Sequence, residues 1–355
     1  MSSSLFQYIA MKYLKIFLII FASLILFYVG FDYLSQAKRL PDSANLRMLY
    51  VYYHVMFASD ILLPLALIFS MIAVKLFLIR SNELVAIYSL GYSKAQVLRP
   101  FLIVSLVITF IYIGVHATKY SYAEEYVRSI ADHGKLQRAT RNLFFKYDNY
   151  YIYFSKLFPI AKTAEDIRIF KQKHSDIVEV IKADKAFYRD DKWFIPEATK
   201  IIKQIDITFD DPPMDVFQEK DISILEGFRP TILDHIHEGK VHYSIIDAIE
   251  AIDLLNKQES NADKVISALY SMVVYPLFVP ALLVIVFFFV PISSRSFNVS
   301  MFTFAALLSS LLVWGVLFAF TRLSHSGTFT PEQGVVYPIL AIYIVAIIVW
   351  FKKAH

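Results

Sequence analysis
The sequence predicts an α+β membrane protein, with six transmembrane helices split three and three by a β-rich insert. Three observations carry that prediction. Of 355 residues, 57% are hydrophobic and only 19% charged, against about a quarter charged in soluble globular domains, and the mean hydropathy is +0.51. The apolar residues are gathered into uncharged blocks near both ends of the chain instead of being spread in periodic stripes. Between those blocks, residues 119–261 have the composition of a soluble domain. This pattern excludes a disordered chain and argues against an ordinary soluble enzyme, because the excess apolar surface needs lipid. The net charge of +4 is scattered, with no Lys and Arg stripe, so nucleic acid is not an expected partner. The absence of cysteine removes disulfides, thiolate metal sites and cysteine catalysis.

A bilayer core about 30 Å thick takes about 20 apolar helical residues. The expected spans are Ile16 to Phe31, about Val55 to Ile79, Phe101 to Thr118, Val265 to Ser294, Ser296 to Thr321 and about Val335 to Phe351. Arg295 alone separates the fourth from the fifth, so a tight turn built by Pro291 to Ser294 is expected there. Asp60 and Lys75 lie in the second span near its ends. Snorkelling there lowers the roughly 3 kcal/mol cost of a mid-bilayer charge, so they read as interfacial charges ahead of an intramembrane proton site. Lys12, Lys15, the apolar stretch after them and Ser35-Gln36-Ala37 outline a signal peptide. That stretch is too long and Asp32 intrudes before the cut, so it reads as a retained span. With the N-terminus inside, one side of the membrane holds Lys12, Lys15, Arg80, Lys94, Arg99, Arg295, Lys352 and Lys353. The other side holds only Lys38, Arg39, Arg47 and Arg322 in its short loops. Positive charge favours the cytoplasm, which puts both termini inside and the insert outside.

In the insert, Tyr150 to Phe154, Ile167 to Lys171, Ile177 to Ala183, Ala186 to Tyr188, Lys192 to Ile195 and Ala198 to Lys203 have strand character. Asp190-Asp191 and Asp210 to Pro213 read as turns. Strands at about ten-residue spacing suggest an antiparallel sandwich or jelly roll. After Pro230 the pattern turns helical, with Ser244 as N-cap, Asp247 in the capping-box position, and Ile245, Ile246, Ile249, Ile252 and Leu255 on one stripe.

Several chemistries are missing. A phosphate-cradling loop needs Gly, four residues, then Gly-Lys; the two Gly-Lys pairs, at Gly134 and Gly239, have Ser129 and Asp234 where the upstream glycine belongs. No Gly-x-Ser-x-Gly elbow exists. His237 and His242 in His237-Glu238-Gly239-Lys240-Val241-His242 stand one position too far apart to share a helix face as zinc ligands do. A site from Asp234, His235, His237 and Glu238 is conceivable in a strand, but solvated loop histidines are the simpler explanation. No catalytic residue and no metal site is expected.

Arg80 to Lys94 is the most patterned loop. Ser81 or Asn82 can cap a short helix, Glu83 sits in its first turn, and Gly91 suits a left-handed stop. Ser93 and Gln96 form a second capping box that launches the third span. Leu84, Ile87 and Tyr88 make an apolar stripe on a helix too short to stand alone, which must dock on something. It is either an interfacial helix under the bilayer or a coupling helix inserted into a cytoplasmic partner.

The layout of three spans, β-rich insert and three spans, with Asn82-Glu83-Leu84-Val85-Ala86-Ile87-Tyr88-Ser89-Leu90-Gly91-Tyr92-Ser93 between spans two and three, resembles the LptF/LptG permeases of the lipopolysaccharide export transporter. Phe31-Asp32-Tyr33-Leu34 and Ser324-His325-Ser326-Gly327 are also similar to the family, the first leaning toward its LptG branch. Asp263-Lys264-Val265 departs from the Arg-containing approach expected before the fourth span. The resemblance implies a multi-pass inner-membrane subunit without catalytic activity of its own. Its implied partners are an LptF-type permease, two copies of the ATPase LptB, which would bind ATP and Mg2+, and LptC. It implies that Glu83, with Leu84, Ile87, Tyr88 and Gly91, couples to the ATPase, and that lipopolysaccharide leaves the periplasmic leaflet through the jelly rolls.

Lipid A phosphates lie at the outer boundary of the inner membrane, so cations are expected at the outer ends of the helices. Lys38 and Arg39 follow the first span, Lys119 the third and Arg322 the fifth. They are candidate lipopolysaccharide ligands, with ordinary headgroup anchoring as the alternative. Two other functions compete with the permease: a membrane-bound enzyme acting on a lipid-linked substrate, through Asp60, His116 or the 234 to 242 cluster, and a membrane-tethered scaffold or sensor.

Overall fold
The computed structural model describes residues 3–134, 140–147, 150–159, 161–173, 176–190, 192–203, 214–224, 229–230, 242–257, 261–289 and 298–353. The chain divides into a helical unit, residues 1–132 with 263–355, and a second unit, residues 133–262.

The helical unit begins with α1 (Ser3–Gln36), α2 (Ala44–Arg80), α3 (Glu83–Ser89) and α4 (Lys94–Val115). A 3-10 turn, Lys119–Tyr122, leads into α5 (Ala123–His133). Among the described residues, six helices are long and apolar enough to cross a membrane. Both α1 and α2 outrun the uncharged blocks expected to span. The 37 residues of α2 reach about 55 Å at 1.5 Å per residue, well beyond a hydrocarbon core of about 30 Å. Tyr8 and Lys12 of α1, and Tyr50 and His54 of α2, sit on these extensions. Residues 119–132, grouped with the insert by composition, belong to the helical unit; the Tyr126 ring of α5 lies 4.6 Å from that of Tyr53 on α2.

The α6 helix (Ile245–Lys257) belongs to the second unit, and the chain returns to the helical unit through α7 (Asp263–Val273). The fourth span is broken: a 3-10 turn at Tyr275–Leu277 separates α7 from α8 (Phe278–Phe289). Pro276 removes the amide that a continuous helix would need, and the Tyr343 hydroxyl donates to Leu277 O at the break, 2.9 Å away. The expected turn at 291–294 and Arg295 lie outside the described residues. The unit closes with α9 (Val299–His325), a π-helical turn at Glu332–Val336 and α10 (Tyr337–Lys353). One apolar core joins Tyr13 of α1, Leu67 and Met71 of α2, Phe101 of α4, Phe278 and Phe287 of α8, Leu317 of α9 and Ile339 of α10.

The second unit is an antiparallel sheet of β1 (Thr140–Tyr147), β2 (Tyr150–Phe158), β3 (Thr163–Lys173), β4 (Asp176–Arg189), β5 (Lys192–Lys203) and β6 (Met214–Ile224), paired in sequence order. The described strands form a meander. One face buries Ile152, Phe154, Ile167, Ile169, Trp193 and Ile195. Cross-strand ion pairs also lace the sheet, Lys156 to Glu165 at 3.0 Å and Lys200 to Glu179 at 3.0 Å. Two pairs of expected strands are single ones. β5 runs through Pro196, which pairs with neither neighbouring strand. The turn into β5 uses Asp190 at φ +50°, a left-handed conformation that aspartate tolerates. Ser244 caps α6, its Oγ accepting from the Asp247 amide at 3.1 Å. The buried side of that helix is Ala248, Ala251 and Leu255, and Ile246 and Ile249 are exposed, so the predicted isoleucine stripe is corrected. A spacing of three and four fits several faces of one helix, and packing chooses among them.

Candidate functional site
At the end of the helical unit opposite the insert connections, α2 stops and α3 begins across a two-residue turn. The Ser81 hydroxyl donates to Phe77 O at 2.9 Å, closing α2. Asn82 adopts φ +59° and its side chain makes no cap bond, so the expected side-chain cap is replaced by a left-handed backbone turn, which asparagine allows. Gly91 stands at φ +87° as the left-handed stop, and the Ser93 and Gln96 capping box is present.

Leu84 and Ile87 are buried in the bundle core beside Leu78, Val97 and Leu98. Tyr88 is half-buried, and burial pushes its hydroxyl pKa up to about 12. Leu84, Ile87 and Tyr88 therefore pack α3 against its own chain. The face turned outward carries Val85, 43% exposed, and Leu90, 76% exposed.

Glu83 faces α1. The Tyr8 hydroxyl donates to Glu83 Oε2 at 2.6 Å, Lys12 Nζ lies 3.1 Å from the same oxygen, and Lys12 also donates to the Tyr8 hydroxyl oxygen at 2.7 Å. The ammonium sits 3.8 Å from the ring centroid of Phe77 on α2. Burial works to raise the Glu83 carboxyl pKa; the hydrogen bonds from Tyr8, Lys12 and Ser81 and the Lys12 charge outweigh it and hold it below the ordinary value. Deeper in the same end, Lys75 does not snorkel. It is buried, and its ammonium donates to Phe287 O and lies 4.0 Å from the Phe287 ring centroid. Lys75 thus ties α2 to the backbone of α8.

At the other end, from which the chain leaves for the insert, two acids meet histidines. Asp60 receives His116 Nε2 at 2.8 Å and the Tyr112 hydroxyl, while His116 Nδ1 faces Tyr112 O at 2.9 Å. Both ring nitrogens face acceptors, so the imidazolium is the form that satisfies them. The contact ties α2 to the residue that ends α4. Asp32 Oδ2 accepts from the Tyr50 hydroxyl at 2.5 Å and lies 3.5 Å from His54 Nε2. The His54 ring is stacked between Tyr28, at 5.5 Å, and Tyr50, at 5.4 Å. The structure thus brings Asp60 and His116 together as a brace. Ser324 of the Ser324-His325-Ser326-Gly327 motif is buried, its Oγ 2.6 Å from Ser267 Oγ of α7. A Cβ on Gly334 would collide with the Ser324 side chain, so this motif forms a close helix junction.

Lys38 and Arg39 are exposed in the turn after α1, Lys119 opens the 3-10 turn after α4, and Arg322 lies in the last turn of α9 with its guanidinium 5.0 Å from the Phe318 ring centroid. Among the described residues none of the four is in an ion pair. The His237 motif lies outside the described residues, apart from His242; among the described residues no cluster of metal-ligating side chains occurs.

The sequence profile of the lipopolysaccharide export system permeases LptF/LptG matches residues 7–353. The chain belongs to the LptF/LptG family. No curated protein matches it. As an LptF/LptG permease it is a multi-pass inner-membrane component of the lipopolysaccharide export transporter, and the family match does not distinguish LptG from LptF.

Proposed function
We propose that this chain is the LptG-type permease subunit that extracts lipopolysaccharide from the periplasmic leaflet and passes it through the insert toward the export bridge, driven by a separate ATPase. Both termini and α3 face the cytoplasm and the insert faces the periplasm. An LptF-type permease completes the cavity, two LptB subunits bind ATP and Mg2+ beneath it, and LptC joins as a further membrane partner. The observation that carries this reading is α3. It is rigidly docked through Leu84 and Ile87, presents Val85 and Leu90 outward, and carries a partly open carboxylate at Glu83, whose side chain is 33% exposed. A nucleotide-driven partner could push such an element without unfolding it. Phe31-Asp32-Tyr33-Leu34 supports the LptG assignment, and the four cations suit the phosphates of lipid A.

The test is to purify the chain from its native membrane and identify what comes with it. An ATPase and lipopolysaccharide are expected. Glu83→Lys reverses the charge on the exposed carboxylate and should weaken ATPase association or coupling by about 2 kcal/mol, over tenfold. Normal lipopolysaccharide-stimulated ATP hydrolysis in that variant would count against the assignment. Because the chain has no cysteine, Leu90→Cys gives a single label site. Labelling from the same membrane side as the insert would overturn the topology on which the function depends.

A further inference from the structure
The carboxylate of Glu83 is already engaged within the chain. Its Oε2 takes both the Tyr8 hydroxyl, at 2.6 Å, and the Lys12 ammonium, at 3.1 Å, and Oε1 lies 3.4 Å from the same ammonium. Tyr8 and Lys12 are one turn apart on α1, so both reach one point of α3 from a single helix face. Lys12 is held from three sides: by Glu83, by the Tyr8 hydroxyl and by the ring of Phe77 on α2. Three helices therefore meet at one ammonium. An isolated surface ion pair would be a weak and mobile link, whereas this one has two donors on one carboxylate oxygen and an aromatic floor under the cation. Leu84 and Ile87, immediately beyond Glu83, are buried against the bundle, so α3 can neither roll nor slide without carrying the carboxylate with it.

We infer that Tyr8 and Lys12 are positioning residues that latch the coupling-helix carboxylate to α1, so that a displacement of α3 is delivered to the first span. This rests on the reading of α3 as the coupling helix. Glu83 then has two faces, one toward α1 and one toward the partner. The far end of α1 that receives the motion carries Asp32 and is followed by the turn with Lys38 and Arg39, at the cationic end of the unit. Without the latch, ATP hydrolysis in the complex continues and less lipid moves per cycle.

The experiment uses the complex purified from membranes, with lipopolysaccharide as substrate. Its readouts are ATPase co-purification and lipopolysaccharide released per ATP hydrolysed. Lys12→Met and Tyr8→Phe should retain the ATPase and lower the release ratio about threefold or more, and Lys12→Arg, which keeps charge and donors, should recover most of it. In combination with Glu83→Gln, the Lys12→Met loss should fail to multiply, because both changes break one contact. An unchanged ratio in Lys12→Met, or losses that multiply, would overturn the latch. Should Lys12→Met not accumulate, Tyr8→Phe, which deletes a single hydroxyl, decides by the same ratio. Failure of the wild-type chain to bring down any ATPase would sink the functional reading itself, and is seen before any latch variant is made.

Discussion

The two ends of the helical unit hold their acids differently. Toward the insert, Asp60 and Asp32 each meet a largely buried histidine and a tyrosine, and His54 is clasped between two stacked rings. At the opposite end, Glu83 is held by a lysine and a tyrosine reaching from one turn of α1, and remains partly open to solvent. The first arrangement braces neighbouring spans with stiff planar groups. The second joins a short element to a long lever through flexible side chains, with room for an outside partner. On the proposed function, the braced end would load lipid and the lysine–tyrosine joint would take up the drive.

That contrast can be broken at several points. The largest effect is expected beneath α3, where Lys75→Glu would set a carboxylate against the α8 carbonyl in a buried site. The loss should be about 3–5 kcal/mol, read as a collapse of the melting temperature of the detergent-solubilised chain. At the braced end, His116→Leu removes the imidazole contact from both the Tyr112 carbonyl and the Asp60 carboxylate, which keeps the Tyr112 hydroxyl. This should cost about 1–3 kcal/mol in the same melt and leave ATPase association intact; loss of association would mean that the two ends are not separable.

Next in size is the rim. Lys38→Glu with Arg39→Glu should weaken lipopolysaccharide crosslinking by about 1 kcal/mol for each cation while the ATPase still co-purifies; unchanged crosslinking would assign both residues to ordinary headgroup contact. The smallest response is to pH. Glu83 is held below its ordinary value, so the stability it lends is complete above that value and is lost only as pH falls through the lowered one. Lys200 has the opposite sign: the Glu179 carboxylate holds its pKa above the ordinary lysine value, and its contribution is lost only as pH rises through the raised one. Hydrogen exchange of the α3 and β5 amides, corrected for intrinsic rates, should therefore show flat protection from about pH 6 to about pH 8.

Much of the fold was legible because it is locally encoded. Uncharged blocks announced the spans, and the short loop helix was visible in its caps and its glycine stop. The edge strands β1 and β6 were not, because an edge strand pairs on one side only and carries polar residues that hide its period; Val216, Phe217 and Met214 of β6 are exposed among charges. Lys75 was misread as a snorkelling charge because hydropathy counts residues and is blind to which way a side chain turns. The exposure of Val85 and Leu90 was hidden for the same reason, since only packing decides which apolar residues of a short helix are covered.

Composition and capping chemistry by themselves determined that this chain crosses a membrane, carries a β insert and bears a short helix with an acid in its first turn. All of these depend on residues within a few positions of one another. Only the tertiary structure decided which side chains meet: Lys12 finds Glu83 across 71 positions, and Lys75 finds Phe287 across 212. Contacts of that span depend on how whole helices pack, and no local pattern of residues records the choice.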